Sequence, residues 1–68
     1  MKNGTVKWFD AKKGFGFILD NEDGKEYFVH HTGILMDGFR FLNVGDKVEF
    51  ELIDNKGKSK AVNVKVIQ

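Results

Sequence analysis

The residues in this sequence best suited to chemistry are aromatic rings with lysines between them. Phe15 and Phe17 stand two apart, with Gly14 before the first and Gly16 between them. In a strand, residues two apart point to the same side of a sheet. Both rings then face one way, and the opposite face receives two glycines and Ile18. Phe28 and His30 repeat the spacing, and Trp8 and Phe9 precede both pairs. Lys7 adjoins Trp8, and Lys12 and Lys13 come just before Phe15. Such a mixture can hold single-stranded nucleic acid. A base stacks on a ring for about 1–3 kcal/mol, and lysines follow the phosphates. The glycines would leave open space beside the rings, so that a base or a backbone can approach closely. The competing structural reading makes the rings a second core face, covered by Phe39 and Phe41 from a loop.

Other chemistry finds less support. His30-His31 invites a metal or acid–base role, but neighbours on a strand point to opposite faces and make a poor chelate. The chain has no Cys, and no carboxylate stands at ligand spacing beside the pair. Gly14-x-Gly16 lacks a third glycine at Leu19 and opens no helical pattern, so it is not a dinucleotide fingerprint. No cofactor and no small-molecule substrate are expected. A barrel this small is filled by its own side chains, which leaves no pocket for catalysis.

The elements that must carry the rings are strands. No stretch places apolar residues at helical spacing over a dozen positions. Val48, Phe50 and Leu52 alternate with charged residues, and Val62, Val64 and Val66 alternate with Asn63 and Lys65. Residues 5–10, 15–20 and 26–30 are the other strand candidates. Turn-forming clusters at 10–14, 21–24 and 54–57 separate them. The stretch from Thr32 to Gly45 reads as a long connection with one helical turn near residues 33–36. Five short antiparallel strands without crossover helices predict an all-β, closed Greek-key barrel of the OB type, because closure removes exposed edges. An SH3-like barrel is the structural rival. The expected core is Val6, Ile18, Val29, Ile34, Val48, Phe50, Leu52, Val62, Val64 and Val66, with Tyr27 also inward. Strict alternation puts Val6 and Trp8 on one face, so a bulge or bend must separate them if Trp8 is outside.

The totals agree with a small domain spanning residues 1–68. The sequence has 68 residues, with 11 Lys+Arg against 10 Asp+Glu. Such a chain buries only about 60% of its unfolded surface, so its stability is marginal. The net charge of +1 does not by itself call for nucleic acid. Its distribution is less even: residues 1–19 carry four lysines against Asp10 alone, and residues 55–68 carry four lysines and no acid. No apolar run approaches the ~18 residues of a membrane span, and the start does not read as a signal peptide. Together with the absence of Cys, this leads to an expected cytoplasmic location.

Several of these segments resemble one family. Lys13-Gly14-Phe15-Gly16-Phe17-Ile18 resembles the first ribonucleoprotein motif, and Phe28-Val29-His30 resembles the second. Residues 4–10, Gly-Thr-Val-Lys-Trp-Phe-Asp, and Gly38-Phe39 are also similar to the bacterial cold-shock proteins, in the same order and spacing. The resemblance covers essentially the whole chain. It implies a five-stranded OB-type barrel that binds single-stranded RNA and DNA with low sequence specificity and acts as an RNA chaperone. It also implies stacking by Trp8, Phe15, Phe17, Phe28, His30 and Phe39, with Phe9 at the edge and Lys7 and Lys13 on the backbone.

The chain departs from the family pattern in three places. His31 stands where another ring is usual, and so joins the expected site. Phe41 replaces a small polar residue. The loop before the last strand has no Pro and reads Asn55-Lys56-Gly57-Lys58-Ser59-Lys60, so its basic contact falls to Lys56 or Lys58. The RNA recognition motif uses a similar octamer, but Asp20 stands where that octamer needs a ring and its two helices are missing. A barrel that binds protein partners through the same aromatic face is the alternative function. A monomer is expected, with exchange of a hairpin between copies as the route to a dimer.

Overall fold

The computed structural model describes every residue except Asp37, Phe39, Arg40 and Gln68, and only the backbone of Asn55. Its five strands are β1 (Lys2–Asp10), β2 (Phe15–Asp20), β3 (Glu26–His30), β4 (Lys47–Asn55) and β5 (Lys58–Val66). They close a barrel in the order β1-β2-β3-β5-β4, with β4 returning to β1. All neighbours are antiparallel except β3 and β5, which run parallel. This is the five-stranded OB fold that the alternation predicts. β2 and β3 have the expected bounds, while β1, β4 and β5 are longer. Among the described residues no helix is long and apolar enough to cross a membrane.

Two irregularities decide which side chains enter the core. The first is in β1. Val6 pairs with Ile18, and Trp8 pairs with Phe17, so Lys7 is an extra residue. This bulge leaves Val6 inside and turns Trp8 outward. It resolves the conflict that strict alternation creates. The second is in β5, where Val62 pairs with Glu51 and Lys65 with Glu49. Asn63 and Val64 together oppose the single residue Phe50, and Asn63 adopts φ +51°. Alternation therefore slips by one residue. Ala61 and Val64 are buried, and Val62 is only half-buried. The expected place of Val62 in the core belongs to Ala61.

The core is Val6, Ile18, Val29, Ile34, Leu42, Val48, Phe50, Ala61 and Val64. Phe9, Tyr27, Met36, Leu52 and Val66 pack around it, partly buried. Leu42, which the sequence pattern does not single out, comes from the long connection. The helical turn of that connection is a 3₁₀ turn at His31–Gly33, earlier than residues 33–36. By Ile34 the backbone is extended again, bridging Val64 in parallel, and Leu35 N–H donates to Val64 O at 2.7 Å. The connection thus contributes Ile34 and Leu42 to the core. The last hairpin is tighter than the 54–57 cluster suggests. Asn55 pairs with Lys58, leaving Lys56 and Gly57 as the two-residue turn, with φ values of 54° and 79°. Positive φ at both positions matches the twist of the flanking strands.

Gly16 faces inward, not toward open space. A Cβ there would lie 2.2 Å from Trp8 O and 2.7 Å from Phe9 Cα. Backbone cannot yield as a flexible side chain can. Gly16→Ala should therefore lower stability by roughly 3 kcal/mol, at the upper end for overpacking. Gly24→Ala meets nothing within 4 Å but has φ +72°. It should cost only about 1–2 kcal/mol of left-handed strain. Urea midpoints of the two variants check this, and equal losses would refute the close approach of β1 to β2.

The β2–β3 turn carries a charge-linked hydrogen bond. Tyr27 Oη donates to Asp23 Oδ2 at 2.7 Å, and Lys25 N–H donates to Asp23 Oδ1 at 2.8 Å. The Tyr27 hydroxyl first, and the Lys25 N–H second, hold the Asp23 carboxyl below its ordinary 3.8. The same bond to Asp23 raises the Tyr27 phenol above its ordinary 10.0. The Asp23 contribution is present above an unfolded value near pH 3.8 and is lost as pH falls through the lower folded value. The Tyr27 contribution is present below pH 10 and is lost as pH rises through the raised folded value. Tyr27→Phe should therefore be least stable relative to wild type between about pH 5 and 9, with the gap narrowing at both extremes. Urea midpoints across pH measure it; a constant gap would show that the bond does not couple to titration.

Candidate nucleic-acid interface

The outer face of β1, β2 and β3 gathers the rings. Trp8 pairs with Phe17, Phe17 with Phe28, and Phe15 with His30 across the strands. Directly paired residues of an antiparallel sheet point to the same side. Trp8 lies 5.7 Å from Phe15 and 5.4 Å from Phe17, centroid to centroid. Phe28 lies 5.7 Å from Phe15, stacked, and 6.0 Å from Phe17, edge-on. The four rings form a closed cycle of contacts, each within the range of favourable aromatic pairs. Trp8 is 38% exposed, while Phe15, Phe17 and Phe28 are half-buried. They are neither core nor freely exposed: each packs against two others. Phe41, which the competing reading folds over them, stays 38% exposed. Phe39 lies outside the described residues.

The histidines adjoin this cycle. His30 is the partner of Phe15, and its Nδ1 lies 2.9 Å from the Thr32 hydroxyl. His31 does not continue the strand, because the 3₁₀ turn begins there. Its ring therefore lies beside that of His30, 4.4 Å away, and not on the opposite face. His31 N–H donates to Gly14 O at 2.8 Å, and a Cβ on Gly14 would lie 2.6 Å from His31 Cδ2. Gly14, at φ +80°, thus makes room for the His31 ring. The space expected beside both glycines is filled by the protein itself. Among the described residues no third ligating group joins the two imidazoles.

Phe9 is separated from the cycle. Past the bulge it pairs with Gly16, turns inward and packs against the core. The expectation of an edge contact overlooked this reversal.

The lysines divide into engaged and unengaged groups. Lys7 Nζ is paired with Glu26, so the cation beside Trp8 is not free. Lys12 and Lys13 are exposed in the β1–β2 loop, where both N–H groups donate to Asp10 Oδ1, at 3.0 and 3.1 Å. That bracing sets the lysine-bearing turn next to Phe15. Lys56 sits at the tip of the last hairpin. Lys58 and Lys60 stand nearer the rings: with Phe17, Phe28 and Glu26 they line an open groove of about 680 Å³. The loop sequence leaves its basic contact between Lys56 and Lys58 and does not single out Lys60. The parallel pairing of Phe28 with Lys60 could not be read from spacing.

Known proteins are similar to this chain in sequence. A family described as the 'cold-shock' DNA-binding domain matches residues 2–67. A cold shock-like protein, CspA, of Stigmatella aurantiaca is 51% identical over 67 residues, covering 98% of each chain. A cold shock-like protein of Thermotoga maritima is 49% identical over 65 residues, 96% of this chain and 97% of the relative. Cold shock domain-containing protein 4 of Arabidopsis thaliana is 48% identical over 64 residues, but the match spans only 32% of its length. The match runs through all five strands of the barrel and every ring of its outer cycle, and the chain belongs to the cold-shock domain family.

Proposed function

We propose that the chain binds single-stranded RNA and DNA with low sequence specificity, and that it acts as an RNA chaperone in the cytoplasm. The observation that carries this reading is the four-ring cycle on one outer face. Rings held against their neighbours keep fixed orientations, and the surfaces they leave exposed accept any base because every base has a π-face. Bases held there are withdrawn from pairing, which opens weak RNA secondary structure. The one domain, residues 1–68, acts as a monomer. Trp8, Phe15, Phe17, Phe28 and His30 stack, His31 and Phe39 extend the platform, and Phe9 supports it from beneath. Lys13, Lys58 and Lys60 meet phosphates. Lys7 does so only when it leaves Glu26, and Lys56 lies at the margin.

Trp8 fluorescence tests the reading directly. A six-base oligothymidine should quench it, and a proline-rich peptide should not. Quenching by the peptide alone would instead make the face a protein-interaction surface. About 2–4 phosphate contacts should give a log–log salt slope of roughly −1.4 to −2.8 for the oligonucleotide. A slope of zero would remove phosphates from the complex, and one near −6 would require a far larger basic footprint.

Phe17 and Phe50 should respond oppositely to truncation. Phe50 is fully buried, so Phe50→Ala should cost about 3–5 kcal/mol and leave the domain largely unfolded. Phe17→Ala removes two ring contacts, and should cost only about 1–2 kcal/mol of stability. Its oligothymidine affinity should fall by ~1–3 kcal/mol, the worth of one stack. Urea midpoints and fluorescence titration separate the two effects. If Phe17→Ala unfolds as Phe50→Ala does, the platform is part of the core.

A further inference from the structure

Lys60 occupies a position that the stacking platform alone does not explain. It is half-buried, and it lines two separate depressions. One is the open groove walled by Phe17 and Phe28. The other is a smaller pocket of about 130 Å³ between the 3₁₀ turn and β5, lined by His30, Thr32 and Asn63 among others. Lys60 is the side chain common to both. Among the described residues no carboxylate lies within ion-pair distance of it, whereas Lys2 is held by Asp20 and Lys7 by Glu26. Lys60 thus packs part of its stem against the protein and presents an ammonium that, among the described residues, has no counter-charge, which a bound anion would supply.

We propose that the small pocket holds the phosphodiester joining two nucleotides stacked on Phe28 and His30, with Lys60 as its cation. This rests on the stacking function proposed above. Phe28 and His30 are two apart on β3 and share a face, which sets them about 6.6 Å apart. Consecutive nucleotides in a stacked strand are separated by only about 3.4 Å. Bases seated on the two rings therefore part from one another, and the linkage between them must span the interval. β5 flanks that interval, since Lys60 is in register with Phe28 across the parallel seam. The polar groups there suit a phosphate. Thr32 brings a hydroxyl to the pocket, 2.9 Å from His30 Nδ1, which also accepts from Thr32 N–H at 3.3 Å. Asn63 Nδ2 points to Glu51 Oε1 at 3.4 Å, so the nearby carboxylate is turned toward an amide.

The test uses the whole chain and six-base oligothymidine. Lys60→Gln keeps most of the side-chain stem and should leave the urea midpoint close to wild type. Its salt slope should be shallower by roughly 0.7, the single-strand value for one phosphate, which corresponds to about eight-fold weaker binding at 50 mM salt and none at 1 M. Lys65→Gln, at the far end of the same strand, should leave the slope unchanged. A series of oligonucleotides, each with one neutral methylphosphonate linkage, locates the contact. One linkage should weaken wild-type binding about eight-fold, and the same linkage should cost Lys60→Gln nothing further. An unaltered slope in Lys60→Gln with intact Trp8 quenching would overturn the phosphate site and leave the stacking function standing. Additive losses from the variant and every modified linkage would also overturn it. Failure of the wild type to bind oligothymidine at all would remove both.

Discussion

Gly16 and Trp8 share a space that one methyl group would fill. With a Cβ on Gly16 only 2.2 Å from Trp8 O, strands β1 and β2 approach more closely than any side chain between them would permit. That approach accompanies the bulge at Lys7, and the bulge sets the two faces of β1. Before it, Gly4 and Val6 face the core, and Gly4 is itself pressed between Ile18 and Phe50. Beyond it, Trp8 is outside and Phe9 inside. Without the slip, Trp8 would follow Val6 into a barrel whose interior Phe50 and the aliphatic residues already fill. Trp8 joins the rings of β2 and β3 because the chain carries one extra residue at Lys7.

A small barrel that carries four rings on its outer face risks association with other apolar surfaces. The arrangement limits this by making the rings each other's neighbours. Each ring in the cycle buries parts of two others, so less ring area is left to solvent. The pairing also fixes the side chains before any ligand arrives. Ordering a flexible side chain on binding costs about 0.5–1.5 kcal/mol, and prepositioned rings avoid it. The same contacts thus serve stability and recognition, which makes a ring variant slightly destabilised as well as poor at stacking.

The sequence made the sheet legible wherever alternation ran unbroken. β2 and β3 carry no bulge, and their bounds, their inward residues and their shared outer rings follow from spacing alone. The inference weakened wherever the chain departed from period two. Asn63 has a positive φ and shifts the β5 face from Val62 to Ala61, and nothing in a Val-x-Val-x-Val pattern signals it. His31 leaves the strand for a 3₁₀ turn, so an argument from opposite faces did not apply to the histidine pair. Leu42 enters the core from a connection without periodicity. Gly14 and Gly16 were legible as exceptional but not for the right reason: their missing side chains make room for His31 and for β1.

Charge was the least legible feature, because side-chain pairing and strand order determine which lysines remain available. A count of lysines near the rings favours Lys7, Lys12 and Lys13. In the folded chain Lys7 faces Glu26, while β5 brings Lys58 and Lys60 to the groove from far along the sequence. The parallel β3–β5 seam is the topological step responsible, since it sets the second basic segment beside the aromatic strands. One group of acids lies at the β2–β3 turn, where Asp20 anchors Lys2 and Asp23 accepts from Tyr27. A net charge of +1 is therefore divided unevenly: among the described residues Lys58 and Lys60 stand at the groove without an ion-pair partner, while Asp20 and Asp23 hold a turn. For a polyanion the local field outweighs the sum, because screening confines each charge's reach to about 8–10 Å at physiological salt.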